Sequence, residues 1–121
     1  GIRRDNPGYE TFSIEPQVVG GLEYAAACVN TVRGLVSASW HKDDSFRLDV
    51  GVPPNTKATI RVPTDGVLRP SVTEGEAVIW ENDRFVPGHP GVTDGSRDEG
   101  SLVFAVGSGN YSFTTEEKTE D

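Results

Sequence analysis

Methionine is absent from this chain, cysteine occurs once and lysine three times, at Lys42, Lys57 and Lys118. A natural reading frame opens with Met, and this sequence opens with Gly1, so we expect a piece of a longer chain. A single cysteine forms no internal disulfide and leaves the compartment open. Its setting, Tyr24-Ala25-Ala26-Ala27-Cys28-Val29, reads as a small buried hydrophobe. No apolar run approaches the roughly 20 residues of a membrane helix, and no signal-peptide pattern is present. Positive charge is also scarce: 11 Lys and Arg stand against 19 Asp and Glu, a net charge of −8. Such a surface repels phosphate backbones and anionic lipid, so neither nucleic acid nor a membrane is an expected partner.

What the chain does have is alternation. Its 121 residues suggest one domain, and a chain of this size buries roughly two-thirds of its unfolded surface, enough for a core without metal or disulfide staples. Val36, Ala38 and Trp40 share one face against Ser37 and Ser39. Phe46, Leu48, Val50 and Val52 alternate with Arg47, Asp49 and Gly51. Ala58, Ile60 and Val62 alternate with Lys57, Thr59 and Arg61; Leu102, Phe104 and Val106 alternate with Ser101, Val103 and Ala105. A period of two, repeated, is the pattern of half-buried antiparallel strands. Lys42-Asp43-Asp44-Ser45 reads as a hairpin connection. Pro53-Pro54-Asn55-Thr56 and Pro63-Thr64-Asp65-Gly66 read as turns, with Pro fixing φ and Asn tolerating left-handed geometry. Turn signals about every 8–12 residues predict an all-β fold, an antiparallel β-sandwich of two packed sheets with about eight strands. Val36, Trp40, Phe46, Leu48, Val50, Ile60, Phe104 and Tyr111 are the expected core. Two stretches break the rhythm. Asp83–Gly100, rich in Pro and Gly, reads as a mobile surface excursion. Thr114–Asp121, polar and acidic, reads as a disordered tail to a domain spanning residues 1–113.

The chemistry-bearing residues form no site. Asp43 and Asp44 lie where a turn favours Asp. Glu81 and Asp83 follow Trp80 and could flank a groove, but a glycosidase pair needs one acid raised by burial, and nothing around these two provides it. His41 and His89 lack companions at zinc-ligand spacing. His41, Asp44 and Ser45 are too close on one hairpin to converge on a reacting atom. Asp94-Gly95-Ser96-Arg97-Asp98-Glu99 offers oxygens around a glycine but lacks the ordered calcium-loop pattern and carries Arg97 within it. No catalytic residue, metal site or cofactor is expected. Trp80 is the one sugar-stacking candidate: it follows Val78 on one face with Ile79 on the other, and its side is open between core, interface and sugar platform.

A set of ordered segments resembles the C-terminal β-sandwich of bacterial α-L-rhamnosidases. Gly1-Ile2-Arg3, followed by Pro7-Gly8-Tyr9, is similar to the exit from that family's last barrel helix. Ile14-Glu15-Pro16 with Gly20-Gly21-Leu22 is similar to its first strand and glycine turn. Thr31–Trp40 is similar to its two strands around a glycine that end in Trp. Val50–Thr59 carries its Pro-Asn-Thr turn, and Val106-Gly107-Ser108-Gly109-Asn110-Tyr111 its closing strand pair. The resemblance implies a non-catalytic accessory domain of a larger glycoside hydrolase, one that removes terminal α-L-rhamnose with inversion. Both carboxylates of that chemistry, roughly 6.5–9.5 Å apart, belong to an (α/α)6 barrel outside this sequence. The implied partner is that barrel, met through Ile2, Pro7 and Tyr9, with rhamnose-containing glycans as a further candidate partner. Two alternatives share the fold class. One is an independent carbohydrate-binding module, which needs an exposed aromatic platform or a polar cleft. The other is a cell-surface adhesion domain of immunoglobulin type, in which two cysteines ordinarily bridge the sheets.

Overall fold

From Phe46 to Val52, Phe46, Leu48, Val50 and Val52 are buried while the residues between them are half-buried or exposed. The same alternation runs through Lys57–Pro63. Side chains of period two stand on opposite faces of a strand, so each apolar series defines one inner surface. The computed structural model describes residues 2–4, 11–15, 24–31, 34–42, 46–64, 69–98 and 100–117. Among them there is no helix.

The strands are β1 (Ile2–Arg4), β2 (Thr11–Ile14), β3 (Tyr24–Thr31), β4 (Gly34–Lys42), β5 (Phe46–Val52), β6 (Lys57–Pro63), β7 (Pro70–Glu74), β8 (Ala77–Glu81), β9 (Arg84–Phe85), β10 (Val92–Asp98), β11 (Ser101–Val106) and β12 (Gly109–Glu117). They form a five-stranded sheet, β1-β2-β6-β11-β10, and a seven-stranded sheet, β3-β4-β5-β12-β7-β8-β9. The β-sandwich is therefore as expected, with more strands than the eight anticipated. All pairs are antiparallel except β2 with β6, which run parallel. A parallel pair needs a long crossover, and the chain between these two strands supplies one by building β3, β4 and β5 of the opposite sheet.

The inner faces meet in one apolar cluster that contains all eight expected core residues. Phe104 of the five-stranded sheet stacks on Phe113 of the seven-stranded sheet at 5.9 Å and meets the Trp80 ring edge-on at 6.3 Å. Trp40 stacks on Phe46 at 5.9 Å. Burying each such side chain contributes roughly 1.5–3 kcal/mol.

Several expectations are corrected. Segment 83–100 is not a structureless excursion: it supplies β9 and all of β10, which pairs with β11 from Val92 to Asp98. Asn82 and Asp83, at φ 57° and 61°, make the two-residue left-handed turn that closes the β8–β9 hairpin. Strand β12 runs past Phe113 to Glu117, pairing with both β5 and β7. Thr115 is buried there, so residues 114–117 belong to the sheet and not to a tail, while 118–121 lie outside the described residues. Cys28 is exposed, not buried. It pairs with Ser37, which stands on the opposite face of β4 from the buried Val36 and Trp40, and so it faces outward.

Candidate functional site

Among the described residues, a polar cluster forms where β7, β12 and the segment leading into β10 converge. Glu74, at the end of β7, places Oε1 2.5 Å from His89 Nε2. Its Oε2 accepts the backbone N–H of Ser112 at 2.9 Å. His89 Nδ1 accepts the backbone N–H of Gly91 at 2.9 Å, so the imidazole carries its hydrogen on Nε2 and donates it to Glu74. Both side chains are 14% exposed. The Tyr111 ring packs on Phe113 and lies 6.3 Å from the His89 ring. Its hydroxyl is 3.0 Å from Gly107 O and 3.1 Å from Ser108 O, with Gly91 O at 3.4 Å. A buried Tyr that donates to carbonyls three and four residues upstream is the tyrosine-corner arrangement of β-sandwiches. Burial, and then the Glu74 carboxylate, push the phenol above its ordinary value of 10.0.

The contacts of this cluster hold backbone. A general base needs a lone pair that can reach a reacting proton. Here both imidazole nitrogens and both Glu74 oxygens are already engaged by the fold. Gly91 completes the arrangement, because a Cβ there would sit 2.6 Å from the Tyr111 hydroxyl oxygen. The segment carrying His89 is thereby fastened to the seven-stranded sheet, while Gly107 N donates to Gly91 O at 3.1 Å beside β11.

A second feature is a shallow concavity of about 750 Å³ on the outer face of β3, β4, β5 and β12. Its lining includes Ala26, Cys28, Ser37, Ser39, Gly51 and Ser112, with Leu35 and Asp49 also contributing. Most of the floor is made of small side chains; Glu74 and Tyr111 also border it, and the Tyr111 ring is buried.

The residues singled out from sequence are dispersed. Trp80 is 3% exposed, so its ring belongs to the core and presents no face to a sugar. The alternation that left its side open is broken by a bulge. Val72 pairs with Trp80 and Thr73 with Val78, which leaves Ile79 as the extra residue and turns Ile79 and Trp80 both inward. Ile2 is half-buried against the core; Pro7 and Tyr9 lie outside the described residues. Arg97 donates to Asp83 at 2.5 Å and Arg61 to Asp98 at 2.9 Å, while Asp94 accepts the backbone N–H of Gly95, so residues 94–98 of the calcium-loop candidate lie on a strand and Glu99 lies outside the described residues. His41 lies on β4, and His89 on the segment between β9 and β10. The Glu74–His89 pair escaped sequence reading because fifteen residues and two hairpins separate its members. The one available signal was Tyr111 following Gly107-Ser108-Gly109.

The family described as the bacterial α-L-rhamnosidase C-terminal domain matches residues 1–76. An α-L-rhamnosidase of Formosa agariphila is 37% identical over 89 residues, covering 73% of this chain and 9% of that protein. One of Streptomyces avermitilis is 32% identical over 115 residues, covering 94% of this chain and 10% of that protein. Among solved structures, α-L-rhamnosidase from Dictyoglumus thermophilum superposes with a TM-score of 0.82 at 33% identity, over 96% of this chain and 12% of that one. The Streptomyces avermitilis α-L-rhamnosidase complexed with L-rhamnose gives 0.65 at 32% identity, over 93% and 9%. The chain thus spans about a tenth of the length of the curated relatives it matches.

Proposed function

Because the chain belongs to the bacterial α-L-rhamnosidase C-terminal domain family, we propose that it is the non-catalytic accessory domain of an α-L-rhamnosidase, packed against that enzyme's (α/α)6 catalytic barrel. In this reading the parent removes terminal α-L-rhamnose from glycosides with inversion, and both carboxylates of the reaction stand on the barrel. The entry segment, with Ile2, Pro7 and Tyr9, contributes to the contact between the two domains. Inter-domain contacts of this kind commonly bury about 600–1,500 Å².

The observation that carries the reading is the state of the acid and base groups inside the sandwich. Glu74 and His89, the largely buried pair with the right chemistry for proton transfer, engage both carboxylate oxygens and both ring nitrogens with the fold's own backbone and with each other. Rhamnose-containing glycans would meet the barrel and not this domain, since Trp80, the ring considered for stacking, is enclosed by the core. Removing the domain from the intact parent tests the role. The expected outcome is a lower melting temperature with loss of rhamnoside hydrolysis on warming. Unchanged melting and unchanged activity would refute it.

A further inference from the structure

Four strand edges bound the two sheets, and three of them are managed in the ways proteins use to prevent edge-to-edge pairing. Strand β1 is three residues long and carries Arg3 and Arg4; β9 is two residues long and begins with Arg84. Strand β10 is bulged between Val92 and Asp94 and carries Asp94, Arg97 and Asp98. The fourth edge, β3, has none of these devices. It runs eight residues, Tyr24–Thr31, with no charge and no proline, in a chain of net charge −8. Its register with β4 is unbroken from Tyr24↔His41 to Thr31↔Gly34. Among the described residues nothing pairs with its other side.

The exposed side chains of the edge strand itself are also uncharged, although Asp49 and Glu74 border the concavity next to it. Ala26, Ala27 and Cys28 on β3 are exposed, and Leu35 on β4 is the most exposed large hydrophobic among the described residues, at 51%. Ala26, Ala27, Cys28 and Leu35 line the outer concavity. An edge about 27 Å long at the usual rise per residue, unpaired among the described residues and next to a floor of mostly small side chains, is a surface suited to contact with polypeptide.

We propose that the β3 edge and the adjoining outer face of β4 are covered by the remainder of the parent polypeptide. The occupant follows from two observations. About nine-tenths of each curated relative lies outside the matched region. Strand β1, the first described strand and the one nearest the chain's entry into this domain, lies against β3 and β4. The inference rests on the accessory-domain reading and specifies where the contact is made.

Cys28 reports on this surface directly, because thiol reactivity follows access. Its alkylation by iodoacetamide is followed in the intact parent by peptide-resolved mass spectrometry, and compared with the same parent unfolded in urea. The native rate is expected to be lower by about tenfold or more, and Leu35→Asp or Ala27→Lys is expected to restore most of it; both positions are exposed, so the fold tolerates either change. A native rate within about twofold of the unfolded one overturns the proposal. So does protection that disappears on dilution together with an oligomer, which assigns the edge to a second copy. Equal protection in the 121-residue chain by itself also overturns it, since the cover would then be the chain's own. If Cys28 is open while removal of the domain still lowers the parent's melting temperature, this surface fails and the accessory role stands.

Discussion

At the scale of single residues, the end cluster makes the sharpest predictions. Gly91→Ala places a methyl against the Tyr111 ring, which is held by Phe113 below and by carbonyls at its tip. We expect a loss of about 1–3 kcal/mol in urea unfolding, the usual cost of overpacking; an unchanged midpoint would show that the ring can move aside. Glu74→Ala leaves Ser112 N and His89 without their acceptor and should cost about 1–3 kcal/mol, while catalysis by the parent at low temperature is untouched. Tyr111 adds a pH dependence. Its phenol is raised in the fold, so the folded state holds that proton more tightly than the unfolded chain does. The associated stability is complete below the unfolded value and is lost as pH climbs through the raised folded one. Above about pH 10 the native protein should therefore lose stability more steeply than Tyr111→Phe, a difference readable from paired urea titrations. Parallel slopes would remove the phenol from the account. Trp80→Ala should cost about 3–5 kcal/mol, as large core truncations do, without any sugar-dependent readout.

At the scale of elements, β10 separates what could be read in the sequence from what could not. Strands β5, β6 and β11 announce themselves because one face of each is apolar, and their inward residues, from Phe46 to Phe104, are those that alternation assigns. Strand β10 is written Val92-Thr93-Asp94-Gly95-Ser96-Arg97-Asp98, a composition that signals a loop. It is a strand because β11 offers a ladder that is continuous from Asp94 to Asp98 and resumes past a bulge at Val92, and because Arg97 and Asp98 find partners in Asp83 and Arg61 on other elements. No local pattern encodes those long-range terms. The bulge in β7–β8 is a similar case: it adds one residue, and strict alternation then misassigns Ile79 or Trp80. Cys28 was misread because an apolar neighbourhood in sequence was taken for one in space. Hydrogen exchange checks the revised β10. Amides of 92–98 should exchange at rates near those of β11, and exchange within seconds would return the segment to a loop.

At the scale of the whole molecule, the fold class and the family resemblance were both legible, because they depend on repeated patterning and ordered turns. The end cluster was not, since Glu74, His89 and Tyr111 come together only after the sheets close. The same closure predicts that truncation after Ser108 abolishes the cooperative unfolding transition: the seven-stranded sheet would lose its middle, and Phe113 would no longer pack on Phe104. A truncated chain that still unfolds in one sharp step would contradict that expectation.

Strand β12 is the last strand in sequence and yet lies between β5 and β7, at the centre of its sheet. During synthesis, β3-β4-β5 and β7-β8-β9 are therefore two separate ribbons until the final strand has left the ribosome. A nonsense codon or a chain break just before β12 does not trim this domain; it withholds the keystone, and both ribbons remain exposed to proteases and to one another.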